Sequence, residues 1–318
     1  MKHVKYYLSV LTACLFFVTG LMAQTPQNRT VSTIVVDALA QLPAKTPAQY
    51  NQTMGDLVST GEEGLMTLIK MLNPPGTKSN EAAEYAISGW TNSIAGDNAK
   101  RPIAAGTYEK ALSLSLDKEI KAFIIRQLEV IGSDDNIDIL SQFLSDNRLS
   151  GPSSQALIAL RSEKADNALL AALSGASSDE IRINLVNAIS QTGNTKAESA
   201  LLGLLNNNPS SDLINVLFKA LGNVGTKESF GILKTGAEKV NYSFQKNDVV
   251  PAYIHLLKKV AETDPLVAQK PAEELLLQAA KLNKPELQVA ATEILMSLPN
   301  TDKIKLLENS LKGGNIVY

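Results

Sequence analysis

The sequence predicts an all-α protein, a right-handed α-solenoid of antiparallel helix pairs with about 7 to 8 repeats. Three observations predict it. Aromatic residues make up only 5% of a chain that is 44% hydrophobic, and Leu, Ala and Ile dominate the apolar set, which favours closely packed helices over sheets built on Val, Thr and aromatics. Apolar residues recur at helical spacing: Ile181, Leu185, Ala188 and Ile189 form an i, i+4, i+7, i+8 stripe that Ile183 and Val186 widen. The pattern then repeats along the chain with a period of about 32 residues.

Residues 1–23 read as a secretory signal peptide. Met1-Lys2-His3-Val4-Lys5 gives the basic start, Tyr6 to Met22 the apolar run, and Ala23 the small residue before the polar stretch opening Gln24-Thr25-Pro26. Cleavage after Ala23 is expected to place the mature protein in the periplasm or outside the cell. Two rivals stay open at this point. The apolar run is close to the shortest that spans a bilayer, which would make it an uncleaved anchor. Leu11-Thr12-Ala13-Cys14 also resembles a lipobox, although Leu15 to Val18 continue the apolar run where a lipid-modified protein needs a polar start. Residues 24–30 form a short polar segment, and residues 31–318 a single solenoid.

Helices are expected from Val31 to Leu42, Pro47 to Ser59, Glu62 to Leu72, Asn80 to Ile94 and Ala104 to Leu116. Four clear repeats follow, opening at Asp117, Asp146, Ser178 and Ser210, each a helix, a turn and a second helix. Gly132, Arg161, Gly193 and Gly225 mark equivalent turns, and Leu140, Leu169, Leu201 and Leu233 follow each at a fixed offset. Glycine at three of the four turns predicts a left-handed helix end there, with nearby Asn, Ser, Thr and Asp capping the next helix. Arg161 departs from the pattern and predicts a different local turn. Gly61 with Ile69 and Leu72 continues the register toward the N-terminus, and Pro299 with Leu307 and Leu311 toward the C-terminus.

Beyond the clear repeats, helices are expected from Lys227 to Lys239, Val249 to Glu262, Leu266 to Leu282, Pro285 to Ser297 and Thr301 to Leu311. Asn241 to Asn247 interrupts the register, and an insertion in a repeat array is a usual place for binding variation. Thr301 to Leu311 reads as a first helix without its partner, either a cap or an apolar surface of Ile304, Leu307 and Leu311 for a neighbour.

Helix pairs of this length, with an acidic, an aliphatic and a basic residue together in Glu119-Ile120-Lys121 and Glu180-Ile181-Arg182, resemble HEAT repeats of the short, bilin-lyase-like type. The resemblance covers roughly residues 50 to 311, without the Asp-Pro opening that many HEAT repeats show. A signal peptide followed by HEAT-like repeats is also similar to N-terminal regions of exported Bacteroidetes-type proteins. The resemblance implies a HEAT/armadillo-like architecture and a role as scaffold, adaptor or accessory part of an enzyme system.

Composition restricts the chemistry. Cys14 is the only cysteine, so the cleaved chain would carry no disulfide, thiol nucleophile or zinc–thiolate site. His3 and His255 are the two histidines, too few for an imidazole metal site, and no strained nucleophile turn accompanies His255. Asp134, Asp135 and Asp138 lack the spacing of a calcium loop and read as charge and caps at a helix start. With 30 basic against 32 acidic side chains, the chain has no basic surplus for displacing counterions, so no nucleic-acid partner is expected. No catalytic residue, metal or cofactor is expected, and no stable membrane span after signal cleavage. Trp90, Tyr85, Tyr242, Phe244 and Tyr253 are expected to fill core and anchor loops, with a sugar-stacking platform as the alternative.

One polar series crosses these apolar helices. Arg126, Gln155, Asn187, Lys219 and Glu293 each stand six residues before a turn marker, and stacked helices would align them on the concave face. They are the expected partner-binding residues of a non-catalytic protein-interaction scaffold. The alternative is an accessory or carbohydrate-associated module of an exported enzyme system.

Overall fold

A computed structural model describes residues 29–244, 247–299, 302–304 and 306. The proposed signal peptide, Cys14, most of the polar segment, and Leu307 and Leu311 of the expected last helix lie outside them. Among the described residues the protein is helical throughout, without strands.

The chain forms two compact units. Of the described residues, one comprises those up to Met71 together with Asn80–Trp90, the other Leu72–Ser79 and those from Thr91 onward. In the first unit, α1 (Val31–Ala40), α2 (Pro47–Ser59) and α3 (Gly61–Lys70) pack mutually. Thr30 and Thr46 cap α1 and α2 by accepting from the backbone N–H of Thr33 and Gln49, removing orphan donors at each helix start. Val35, Leu57, Leu65, Leu68 and Ile69 are fully buried. The Tyr50 and Tyr85 rings meet edge to face at 6.3 Å.

The second unit holds the segments in which the sequence repeats. Helix α4 (Glu81–Ile94) enters it at Thr91, followed by α5 (Arg101–Leu112), α6 (Lys118–Ile131), α7 (Ile137–Ser141), α8 (Ser150–Leu160) and α9 (Glu163–Ser174). Then come α10 (Asp179–Thr192), α11 (Glu198–Leu205), α12 (Ser211–Val224), α13 (Phe230–Lys239), α14 (Val249–Thr263), α15 (Pro265–Lys281) and α16 (Pro285–Ser297). Helices α6, α8, α10, α12, α14 and α16 pack each against the next in that order. The intervening helices lie against their sequence neighbours: α9 on α8 and α10, α11 on α12, α13 on α14, and α15 on α14 and α16. Each inner helix of the first series, α8 to α14, is therefore held between two others of its kind, which is why its apolar arc is wide.

The repeat period reappears as hydrogen bonding. Asn184 Nδ2 donates to Ser150 Oγ, Asn223 Nδ2 to Ser190 Oγ, and Lys259 Nζ to Asn223 O, across sequence separations of 34, 33 and 36 residues. At the turns, Asn136 Nδ2 donates to Glu109 across 27 residues and Asn194 Nδ2 to Asp166 across 28. Where Asn241 to Asn247 intervenes the separations lengthen: Lys234 pairs with Glu274 across 40 residues, and Lys284 Nζ reaches Tyr242 O across 42.

The four turn leucines, Leu140, Leu169, Leu201 and Leu233, are all completely buried. The turns themselves differ from the sequence expectation. Gly193 is left-handed at φ 70°, and so is Arg161 at φ 52° and ψ 43°. Gly132 and Gly225 are instead extended, at φ −63° and −62°. Glycine is needed there for space: a Cβ would lie 2.5 Å from Leu128 O at Gly132 and 2.2 Å from Leu221 O at Gly225. Those carbonyls accept the glycines' own N–H groups at 2.7 and 2.9 Å, which ends the helix tightly. An L-residue in the left-handed region costs roughly 1–2 kcal/mol. Arg161→Gly is therefore expected to raise the thermal midpoint, by a few degrees on the scale of about 1 kcal/mol; a lowered midpoint would show the arginine conformation to be unstrained.

Tyrosines seal this core. Tyr108 is fully buried and its hydroxyl lies 2.6 Å from Thr91 Oγ1. Burial pushes the Tyr108 and Tyr253 hydroxyls well above the ordinary value and Tyr242 up to about 12, with the charges of Glu238 and Glu274 adding to the latter two. A folded-state pKa raised above the unfolded one contributes stability that is complete below about pH 10 and is lost as pH rises through the folded values. Ultraviolet titration is expected to show these three phenols ionising only together with alkaline unfolding; free ionisation near pH 10 in the folded state would contradict their burial.

Candidate functional site

The six helices packed in series in the second unit each expose one side. Arg126 on α6, Gln155 on α8, Lys219 on α12 and Glu293 on α16 are exposed, and Asn187 on α10 is half-buried. Each is flanked by fully buried positions, for example Ile125 and Leu128, Ala156 and Leu157, and Ala220 and Leu221. The helical period, with packing below, leaves this one arc for polar groups.

Sequence reasoning missed one rung. The N–H of Asp264 ends α14 on Val260 O, as Gly132 and Gly225 end their helices on Leu128 O and Leu221 O. Six residues earlier stands Lys258, exposed, and its Nζ lies 2.9 Å from Glu293 Oε2 across 35 residues. This contact joins adjacent rungs directly. The missing glycine at Asp264 and the extra residues after Asn241 concealed the register; the apolar stripe Val249, Tyr253, Leu256, Leu257 and Val260, all buried, was the available signal.

Charges along the arc are mixed. Arg148 binds Glu119 through both Nε and Nη2. Those bonds, with the charges of Arg148 and then Arg126, hold the Glu119 carboxyl below the usual glutamate range. Lys118 and Asp146 pair at 2.7 Å. Such exposed pairs contribute little stability and vary with salt, so their value lies in a patterned, solvated surface.

Other sequence-derived candidates are placed as follows. Trp90, Tyr242 and Tyr253 are 3, 2 and 1% exposed, so their rings fill core. Phe244 and Tyr85 are 40 and 39% exposed. His255 is exposed on α14. Asp134 and Asp135 lie in a 3-10 turn (Asp134–Asn136) capped by Ser133, whose Oγ accepts from Asp135 N, with the Asn136 side chain accepting from Ser133 N. Asp138 follows in the first turn of α7. Among the described residues no group of three or more His, Cys, Asp and Glu side chains is arranged to hold a metal, and no helix is long and apolar enough to cross a membrane.

Among the described residues one carboxylate is buried. Glu198, 8% exposed, accepts from Thr226 N, Thr226 Oγ1 and Ser229 Oγ at 2.7, 2.7 and 2.5 Å. Its partners come from the next turn in the chain, so it joins one repeat to its successor. Nearby, burial holds the Lys259 ammonium below the ordinary lysine value, opposed by the Glu198 charge.

Comparison with models of known protein families and with curated proteins finds no match to this chain.

Proposed function

We propose that the chain is an exported, non-catalytic protein-interaction scaffold, a HEAT-like α-solenoid whose partner-binding surface is the arc carrying Arg126, Gln155, Asn187, Lys219, Lys258 and Glu293. One observation carries this reading: six helices packed in series each present a polar residue from an otherwise buried neighbourhood, and two of those residues, Lys258 and Glu293, touch. A rigid row of spaced polar and charged groups suits a protein surface, where such groups set register and specificity more than affinity. The chain's 30 basic against 32 acidic side chains do not suit a polyanion partner. Export rests on the basic and apolar layout of residues 1–23. For the carbohydrate alternative, Trp90, Tyr242 and Tyr253 are buried, which leaves Tyr85 and Phe244 as the exposed rings of that set.

The test is affinity capture from a periplasmic and outer-membrane extract, comparing the native protein with a variant combining Arg126→Ala, Asn187→Ala and Lys219→Ala. A protein partner retained by the former and lost by the latter is the expected result, since three surface changes of this kind leave folding almost unaltered. Retention on polysaccharide resin alone would replace the scaffold with the carbohydrate reading.

A further inference from the structure

A cleft of about 770 Å³ lies between the α8–α9 turn and the α10–α11 turn, lined among others by Arg161, Glu163, Asp166, Gln191, Asn194 and Lys196. The equivalent turns insert a 3-10 element before the next helix, at Asp134–Asn136, Thr195–Ala197 and Lys227–Ser229, whereas the chain runs from Arg161 through Ser162 directly into α9. The cleft opens beside this turn.

The cleft lining carries two cations, Arg161 and Lys196, and two anions, Glu163 and Asp166. Lys196 pairs with Glu163, and Asn194 Nδ2 donates to Asp166 Oδ2 at 3.2 Å. The Arg161 guanidinium makes no ion pair or hydrogen bond among the described residues. Its backbone is left-handed, a conformation that glycine, present at the equivalent Gly193, adopts without cost. Acceptors complete the lining: Gln191 gives its Nε2 proton to Asn187 O and keeps its oxygen, and Asp166 keeps Oδ1. A complementary ligand brings a carboxylate for the guanidinium and N–H donors for those oxygens. A phosphate supplies no such donors.

We propose that this cleft docks an acidic side chain of an extended peptide segment, with Arg161 holding the carboxylate and the flanking main-chain N–H groups bonding Gln191 and Asp166. The proposal rests on the reading of the chain as a protein-binding scaffold, and names a chemistry for one part of the partner.

Titration calorimetry of the full chain tests it with three probes: a blocked alanine-based peptide with one central glutamate, the same peptide with glutamine there, and free glutamate. The glutamate peptide is expected to bind about tenfold more tightly than the glutamine peptide, the effect of one charge-assisted pair. Arg161→Gly and Arg161→Asn, both compatible with left-handed backbone, are expected to abolish the difference. Equal binding of the two peptides, a preference that survives both substitutions, or tighter binding of free glutamate than of the peptide would overturn the proposal. Should titration fail while partner capture remains sensitive to Arg126, Asn187 and Lys219, the cleft proposal falls and the scaffold stands; loss of capture itself removes the scaffold.

Discussion

Glu198→Ala is expected to destabilise the second unit by about 3 kcal/mol, measured by urea unfolding. The carboxylate takes three hydrogen bonds, and of its donors Ser229 is completely buried. Alanine leaves those donors without an acceptor, and each unsatisfied buried group costs roughly 1–3 kcal/mol. The same change removes the negative charge that opposes the burial of Lys259, whose Nζ donates to Asn223 O at 2.7 Å. Glu198→Gln keeps an acceptor in place and is expected to cost about half as much. An alanine variant as stable as the native protein would mean that solvent reaches this joint between repeats.

Gly225→Ala is expected to cost about 2 kcal/mol, a backbone-overpacking effect. The new methyl would stand 2.2 Å from Leu221 O and 3.0 Å from Ser229 Oγ. Relief requires moving the helix end away from the Leu221 carbonyl, and with it the Ser229 hydroxyl that serves Glu198. Gly193→Ala meets nothing within 4 Å and is expected to cost only the left-handed backbone term, about 1 kcal/mol. If Gly193→Ala proves the more damaging of the two, the extended glycine is not held by this contact.

Helix positions were largely legible in the sequence. Pro47–Ser59 and Pro285–Ser297 are observed with the bounds expected, because a proline at the first turn fixes the start of each. Ser162, Ser178 and Ser210 cap α9, α10 and α12, as small polar residues before apolar stripes predict. The turn conformations were not legible. A glycine in a repeat turn signals equally a positive φ, as at Gly193, and a close carbonyl, as at Gly132 and Gly225; sequence does not separate the two. Lys258 was hidden by seven extra residues, Asn241 to Asn247, that displace its register without altering its helix. Nor could the cleft at Arg161 be found: the offset from turn marker to leucine is the same there as at the other turns, and boundaries finer than a helical turn leave little trace in apolar spacing.

Asn187 sits on the proposed binding arc, whereas Ser199 is exposed on α11, outside the series of helices that carries it. Incorporating a photo-reactive amino acid at one position or the other, then irradiating the protein in the extract, tests the central claim most directly. The account predicts that a single protein partner is crosslinked from position 187 and not from position 199. Adducts formed only from position 199, with a partner still captured, would place the interaction on another surface and contradict it.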